Sequence, residues 1–174
     1  MRCKSIYWLA VIMCLFAIGC DNTDDGSYVA PITIYEKVNG NWGLTNLKMV
    51  DEFAKANKIE PSEQTLNTWF NYEDFKIKFS VDEKNNPTSY EVTGDVPPLF
   101  APKGYWQLST AFQPTTGGGP TKIYLYSDAQ KTQKTDELVL TSTPGKSGEM
   151  EFQLVHSSGG SPFVSYVFKF NAIN

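Results

Sequence analysis

Four apolar residues in strict alternation, Phe75, Ile77, Phe79 and Val81, stand between Lys76, Lys78 and Ser80. A period of two places the four on one face of a strand and the polar three on the other, so the segment belongs in an antiparallel sheet with one buried face. The signal recurs at Tyr90 and Val92, Ile123 and Leu125, Leu138 and Leu140, Met150, Phe152 and Leu154, and at Val164, Tyr166, Phe168 and Phe170. Asn39-Gly40, Asn85-Asn86-Pro87, Pro144-Gly145 and Gly159-Gly160 supply turns between these runs. With one strand opening at Trp42 and another over 105–110, eight strands follow one another with almost no helix. The expected fold is all-β, an eight-stranded antiparallel up-and-down barrel, which leaves no free edge. An open two-sheet sandwich would show a similar pattern.

Trp42 and Leu44 share one phase of the first strand while Leu47 and Met49 occupy the other, so a bulge near Asn46 is needed to turn all four inward. Ahead of this strand, Ile32 and Ile34 alternate with Thr33 and Tyr35 as a short extended lead-in. Residues 51–74 interrupt the strands as a helical insert. Asp51 caps a first helix carrying Phe53, Ala56 and Ile59, and after Pro61 Ser62 caps a second with Leu66, Trp69 and Phe70 at helical spacing. Pro97, Pro98 and Pro102 exclude regular pairing between the third and fourth strands.

The N-terminus reads as an address. Arg2 and Lys4 precede an uncharged apolar stretch too short for a membrane span, in the manner of a secretory signal. Phe16-Ala17-Ile18-Gly19-Cys20 resembles a bacterial lipoprotein cleavage site. That resemblance implies removal of 1–19, acylation of Cys20, an acidic linker over 20–30 and a folded domain over 31–174. Two or three acyl chains would hold the protein on a membrane, since each buried methylene contributes about 0.8 kcal/mol. Asp21, Asp24 and Asp25 directly after the cysteine are similar to the export signal of Bacteroidetes surface lipoproteins, which implies the outer membrane and its external face. A solvated linker is the plainer reading of the same run.

Composition narrows the chemistry. Cys3, Cys14 and Cys20 all lie at or before the junction, leaving the domain no thiol for a disulfide, a metal site or a nucleophile. Without Arg2 and Lys4 there remain 13 basic against 19 acidic residues, a formal charge of −6 that disfavours nucleic acid. His156 is the sole histidine, so neither a histidine-rich metal centre nor a hydrolase triad can be assembled. Glu149 and Glu151 stand roughly 6.5–7 Å apart on a strand, within glycosidase range, but on the face opposite the apolar set, where nothing raises a carboxyl pKa. Asp21, Thr23, Asp25 and Gly26 fail as a calcium loop because Ile32 stands at the twelfth position. Gly145-Lys146-Ser147 lacks the upstream glycine of a phosphate loop and is a hairpin turn. No catalytic residue, metal or cofactor is expected.

Gly40-Asn41-Trp42 at the entry to the first strand is similar to the glycine-x-tryptophan signature of lipocalins, in which the indole closes one end of the barrel. Together with Gly104-Tyr105-Trp106, the run 120–125 and Leu138-Val139-Leu140, it resembles the lipocalin-like lipoproteins of Bacteroidetes over most of 39–174. The resemblance implies a fold and a location, and no reaction. Gly40 and Trp42 then mark the barrel base.

In an up-and-down meander the odd-numbered connections gather at the end opposite that base: the insert, the loop 96–100, the loop 127–136 and the loop 157–161. Trp69, Phe70, Leu99, Phe100, Trp106 and His156 are assigned to this end as a candidate binding mouth, apolar with few polar groups. Two functions compete. One is a non-catalytic domain binding a small apolar or glycan-like ligand at the open barrel end. The other is an accessory subunit docking on an outer-membrane protein through its outer wall or insert, its barrel filled and without a ligand. The plainer reading of the insert itself is a cap on the open barrel, with Leu66, Trp69 and Phe70 as its plug. Interior volume separates them, and the many inward aromatics favour a filled interior.

Overall fold

The computed structural model describes residues 30–94, 97, 99–113 and 117–173. The leader, Cys20, the acidic run after it, and Val96 and Pro98 of the proline-rich loop lie outside the described residues. Among the described residues nine strands form one antiparallel sheet: β1 (Gly40–Asp51), β2 (Glu63–Thr65), β3 (Lys76–Val81), β4 (Pro87–Thr93), β5 (Lys103–Leu108), β6 (Lys122–Tyr126), β7 (Lys134–Ser142), β8 (Glu149–Ser158) and β9 (Ser161–Ile173). Their order is β2-β1-β3-β4-β5-β6-β7-β8-β9, and β1 also pairs with β9. That last pairing closes eight strands into an up-and-down barrel and excludes the open sandwich. The three residues of β2 lie outside the cycle, extending the sheet along the second half of β1 as Val50 pairs with Glu63.

Closure depends on β1 and β9, whose register runs from Asn41 opposite Ile173 to Asp51 opposite Val164. The register slips between Leu44 and Asn46. This is the expected bulge. It lets Trp42, Leu44 and Leu47 all reach the core cluster, while Met49 stays half-buried. Val50 is buried outside that cluster, as is Ala54 of the following helix.

Two local readings of the sequence are corrected. Residues 34–38 are a helix, α1 (Ile34–Val38), not an extended lead-in. The cause is a capping box: the Thr33 hydroxyl accepts from the Glu36 amide while the Glu36 carboxylate accepts from the Thr33 amide. Ile34 and Val38, one helical turn apart, then share the buried face. Within the insert, the first expected helix is present as α2 (Glu52–Ala56), capped by Asp51, which accepts from the Ala54 amide at 2.8 Å. The second is absent: 63–65 form β2 and 72–74 a single 3₁₀ turn. Leu66, Trp69 and Phe70 have helical spacing, but β1 offers the backbone a better partner, the Leu47 carbonyl accepting from the Leu66 amide at 2.8 Å.

The barrel interior is filled with side chains. Phe75, Phe152, Phe168 and Phe170 pack with ring centroids 4.9–6.2 Å apart, and Phe79 meets Trp106 at 5.0 Å. Each such side chain contributes about 1.5–3 kcal/mol through burial. The strands fit closely enough that Gly104 has no room for a side chain: a Cβ there would lie 2.3 Å from the Tyr126 carbonyl oxygen. Ile32–Asn174 is one compact unit. Among the described residues no helix is long and apolar enough to cross a membrane.

Candidate functional site

Register places the two ends. Val81 beside Pro87, Leu108 opposite Ile123 and Ser142 opposite Glu151 mark the even connections, at the same end as Gly40. Asp51 opposite Val164, Lys76 opposite Thr93 and Ser158 opposite Ser161 mark the other. The strand count of the meander therefore holds.

At the base, α1 closes the barrel. The Trp42 indole N–H donates to the Val38 carbonyl at 2.8 Å, and the Ile34 amide donates to the Ala111 carbonyl across the opening at 2.8 Å. Tyr35 accepts from the Leu108 amide at 3.2 Å, and burial raises its pKa. Gly40 and Trp42 thus occupy the base that they were expected to mark.

Trp106 belongs to this half as well. It is fully buried, its indole N–H donates to the Ser80 carbonyl at 2.9 Å, and its ring lies 5.6 Å from that of Tyr35. It was expected at the far end because it lies near the start of a descending strand. However, barrel strands are tilted, and the side chain reaches toward the end of β3.

The far end is plugged. Phe100 drops from the β4–β5 loop into the interior, where its ring meets Phe75, Phe152 and Phe168 at 5.8–6.3 Å; it is 8% exposed. Leu99 and Leu66 are partly buried against the same cluster. Tyr72, which the sequence reading passed over, is fully buried there, and desolvation raises its phenol pKa. The six residues assigned to a mouth are therefore not brought together: Phe100, Leu99 and Trp106 serve the core.

Trp69 and Phe70 face outward instead, Trp69 being 69% exposed. They ride on a tight turn in which the Trp69 and Phe70 amides donate to the Leu66 carbonyl at 2.9 and 3.1 Å. Asn67 pins that turn to β1 by accepting from the Leu47 amide at 2.8 Å. Phe53 on α2 is 67% exposed, and Ile59 just beyond it is exposed too. α2 is held against β8 and β9 by a polar knot, in which the Ser165 hydroxyl donates to the Glu52 carboxylate and accepts from the Gln153 amide at 2.7 Å. Phe163, also exposed, follows the β8–β9 hairpin, where Gly159 and Gly160 take φ of 59° and 83° as a two-residue turn of this hand requires. His156 sits half-buried between Phe163 and Tyr166, at 6.3 and 5.9 Å. Among the described residues the far end thus carries five exposed large apolar side chains, of which Trp69 and Phe70 were expected at the mouth.

Glu151 lies on the outer wall, accepting from Thr141 at 2.8 Å and pairing with Lys169 at 3.5 Å, while Glu149 is exposed. Among the described residues no three His, Asp or Glu side chains converge as metal ligands would.

Closed strand order, plugged ends and an aromatic interior define a lipocalin-like barrel with a filled core. The chain belongs to the family described as a domain of unknown function, DUF5004, which it matches over residues 18–171. No curated protein matches it.

Proposed function

We propose that this protein is a lipid-anchored outer-membrane lipoprotein whose barrel is a non-catalytic scaffold, and whose insert end docks on a protein partner in the same membrane. The observation that carries this reading is the filled interior: Phe100 occupies the space where a ligand in the barrel mouth would sit. What remains for recognition is the exterior. There Phe53, Ile59, Trp69, Phe70 and Phe163 stand exposed around one end. Aromatic and aliphatic side chains without convergent polar groups suit the core of a protein interface better than a sugar-binding site, which needs donors and acceptors beside its rings. Anchoring is supported by the junction at Cys20, which lies inside the family match. External display rests on the acidic residues that follow it.

Photocrosslinking in cells tests the docking surface. A photoreactive amino acid at position 69 and, separately, at 163 should give the same membrane-protein adduct, and at Lys84 in the opposite turn should give none. Adducts that are absent from both, or identical at all three, would refute it. Anchoring is tested apart from this, by Cys20→Ser, which should release the protein from the membrane fraction.

A further inference from the structure

The base of the barrel carries a groove of about 580 Å³ on its outside, within the roughly 300–1,000 Å³ typical of small-ligand sites. Trp42, Ala172, Ile173 and Ile32 supply a largely apolar lining, to which Lys37 of α1 and Lys146 of the β7–β8 turn add two ammonium groups. Among the described residues no aspartate or glutamate lines it. Among the described residues neither lysine forms an ion pair, as is true of most lysines of the barrel, but these two border one apolar groove. The groove thus combines two ammonium groups with an apolar floor. The groove is well built: the Trp42 indole is fixed by its bond to Val38, and the β7–β8 turn is tied to β9 by the Ala172 amide donating to the Gly148 carbonyl at 2.8 Å.

We infer that this groove binds a long-chain fatty carboxylate, its acyl chain along Trp42 and Ile173 and its headgroup between Lys37 and Lys146. A neutral apolar ligand would leave both charges unused. The site lies at the opposite end from the docking surface proposed above and stands independently of it.

The test is photolabelling of the whole chain, as recovered from cells, with a palmitate analogue carrying a mid-chain diazirine, followed by peptide mapping. Adducts should fall on 32–42, 144–148 and 171–173. Palmitate should compete at least tenfold better than its methyl ester and better than phosphatidylglycerol vesicles. Lys37→Ala with Lys146→Ala should cut labelling at least tenfold at an unchanged melting temperature, and the corresponding double arginine variant should restore it. Labelling spread over the barrel wall, equal competition by the ester, displacement chiefly by the vesicles, or an unaffected double alanine variant would each overturn the assignment.

Discussion

The indole of Trp42 and the carbonyl of Val38 are joined by a 2.8 Å hydrogen bond between the first barrel strand and the helix that precedes it. The bond is buried, so losing the indole strands an acceptor as well as opening a cavity. Trp42→Ala should cost about 3–5 kcal/mol, a fall of roughly 10 °C or more at about 2–4 °C per kcal/mol. Val38→Ala should be non-additive with it by at least about 0.5 kcal/mol, as expected for residues in contact. Thermal melts of the two single variants and the double variant check this. Val38→Ala keeps the carbonyl that accepts the indole bond, so simple additivity would mean that the two side chains do not pack on one another.

Gly104 is the second sensitive point. A methyl group there meets the Tyr126 backbone at 2.3 Å and the Tyr90 ring at 3.0 Å. Gly104→Ala must therefore separate β5 from β6, and a loss of about 1–3 kcal/mol is expected from overpacking of this kind. Gly145→Ala, where nothing lies within 4 Å of the added carbon, is the matched control and should stay near wild type. Denaturant unfolding of both variants compares them directly.

Alkaline pH should unfold the barrel in a specific window. Burial pushes the Tyr90 phenol up to about 12, and its hydroxyl donates to the Ala101 carbonyl at 2.9 Å. The unfolded chain releases this proton near pH 10, while the native state holds it until about 12. Between these values the unfolded state binds fewer protons, so stability falls as pH rises. Burial acts in the same direction on Tyr35 and Tyr72. Tyr90→Phe should be less stable at pH 7 by about 1 kcal/mol for the lost hydrogen bond, yet lose less on going from pH 9 to pH 11. Equal losses in both proteins would contradict the assignment.

The barrel was legible because each long strand carries its own alternation, and the bulge was legible because Leu44 and Leu47 cannot otherwise share a face. What escaped reading depended on contacts distant in sequence. Leu66, Trp69 and Phe70 have the spacing of a helix, but the choice between helix and strand was settled by the free edge of β1, which no local pattern reveals. Helix α1 was different: the Thr33–Glu36 capping box was there to be read, and the alternation of Ile32 and Ile34 obscured it. Phe100 was correctly placed at the far end, yet its inward reach follows from the unfilled space above Phe152 and Phe168. Trp106 was misplaced because strand order fixes the direction of a strand and not the depth to which a tilted strand carries its side chains. The base groove draws on α1, β1, the β7–β8 turn and β9 together, so no single stretch of sequence announces it.

The filled and plugged barrel is tested most directly by the melting temperatures of Phe100→Ala and Trp69→Ala, measured side by side. Phe100 packs on three core rings and Trp69 stands in solvent. Phe100→Ala should cost about 3 kcal/mol or more and lower the melting temperature by roughly 10 °C, while Trp69→Ala should shift it by no more than about 2 °C, the effect of an ordinary surface change. A Phe100→Ala protein that melts with the wild type would contradict this account, because it would mean that the far end of the barrel is open.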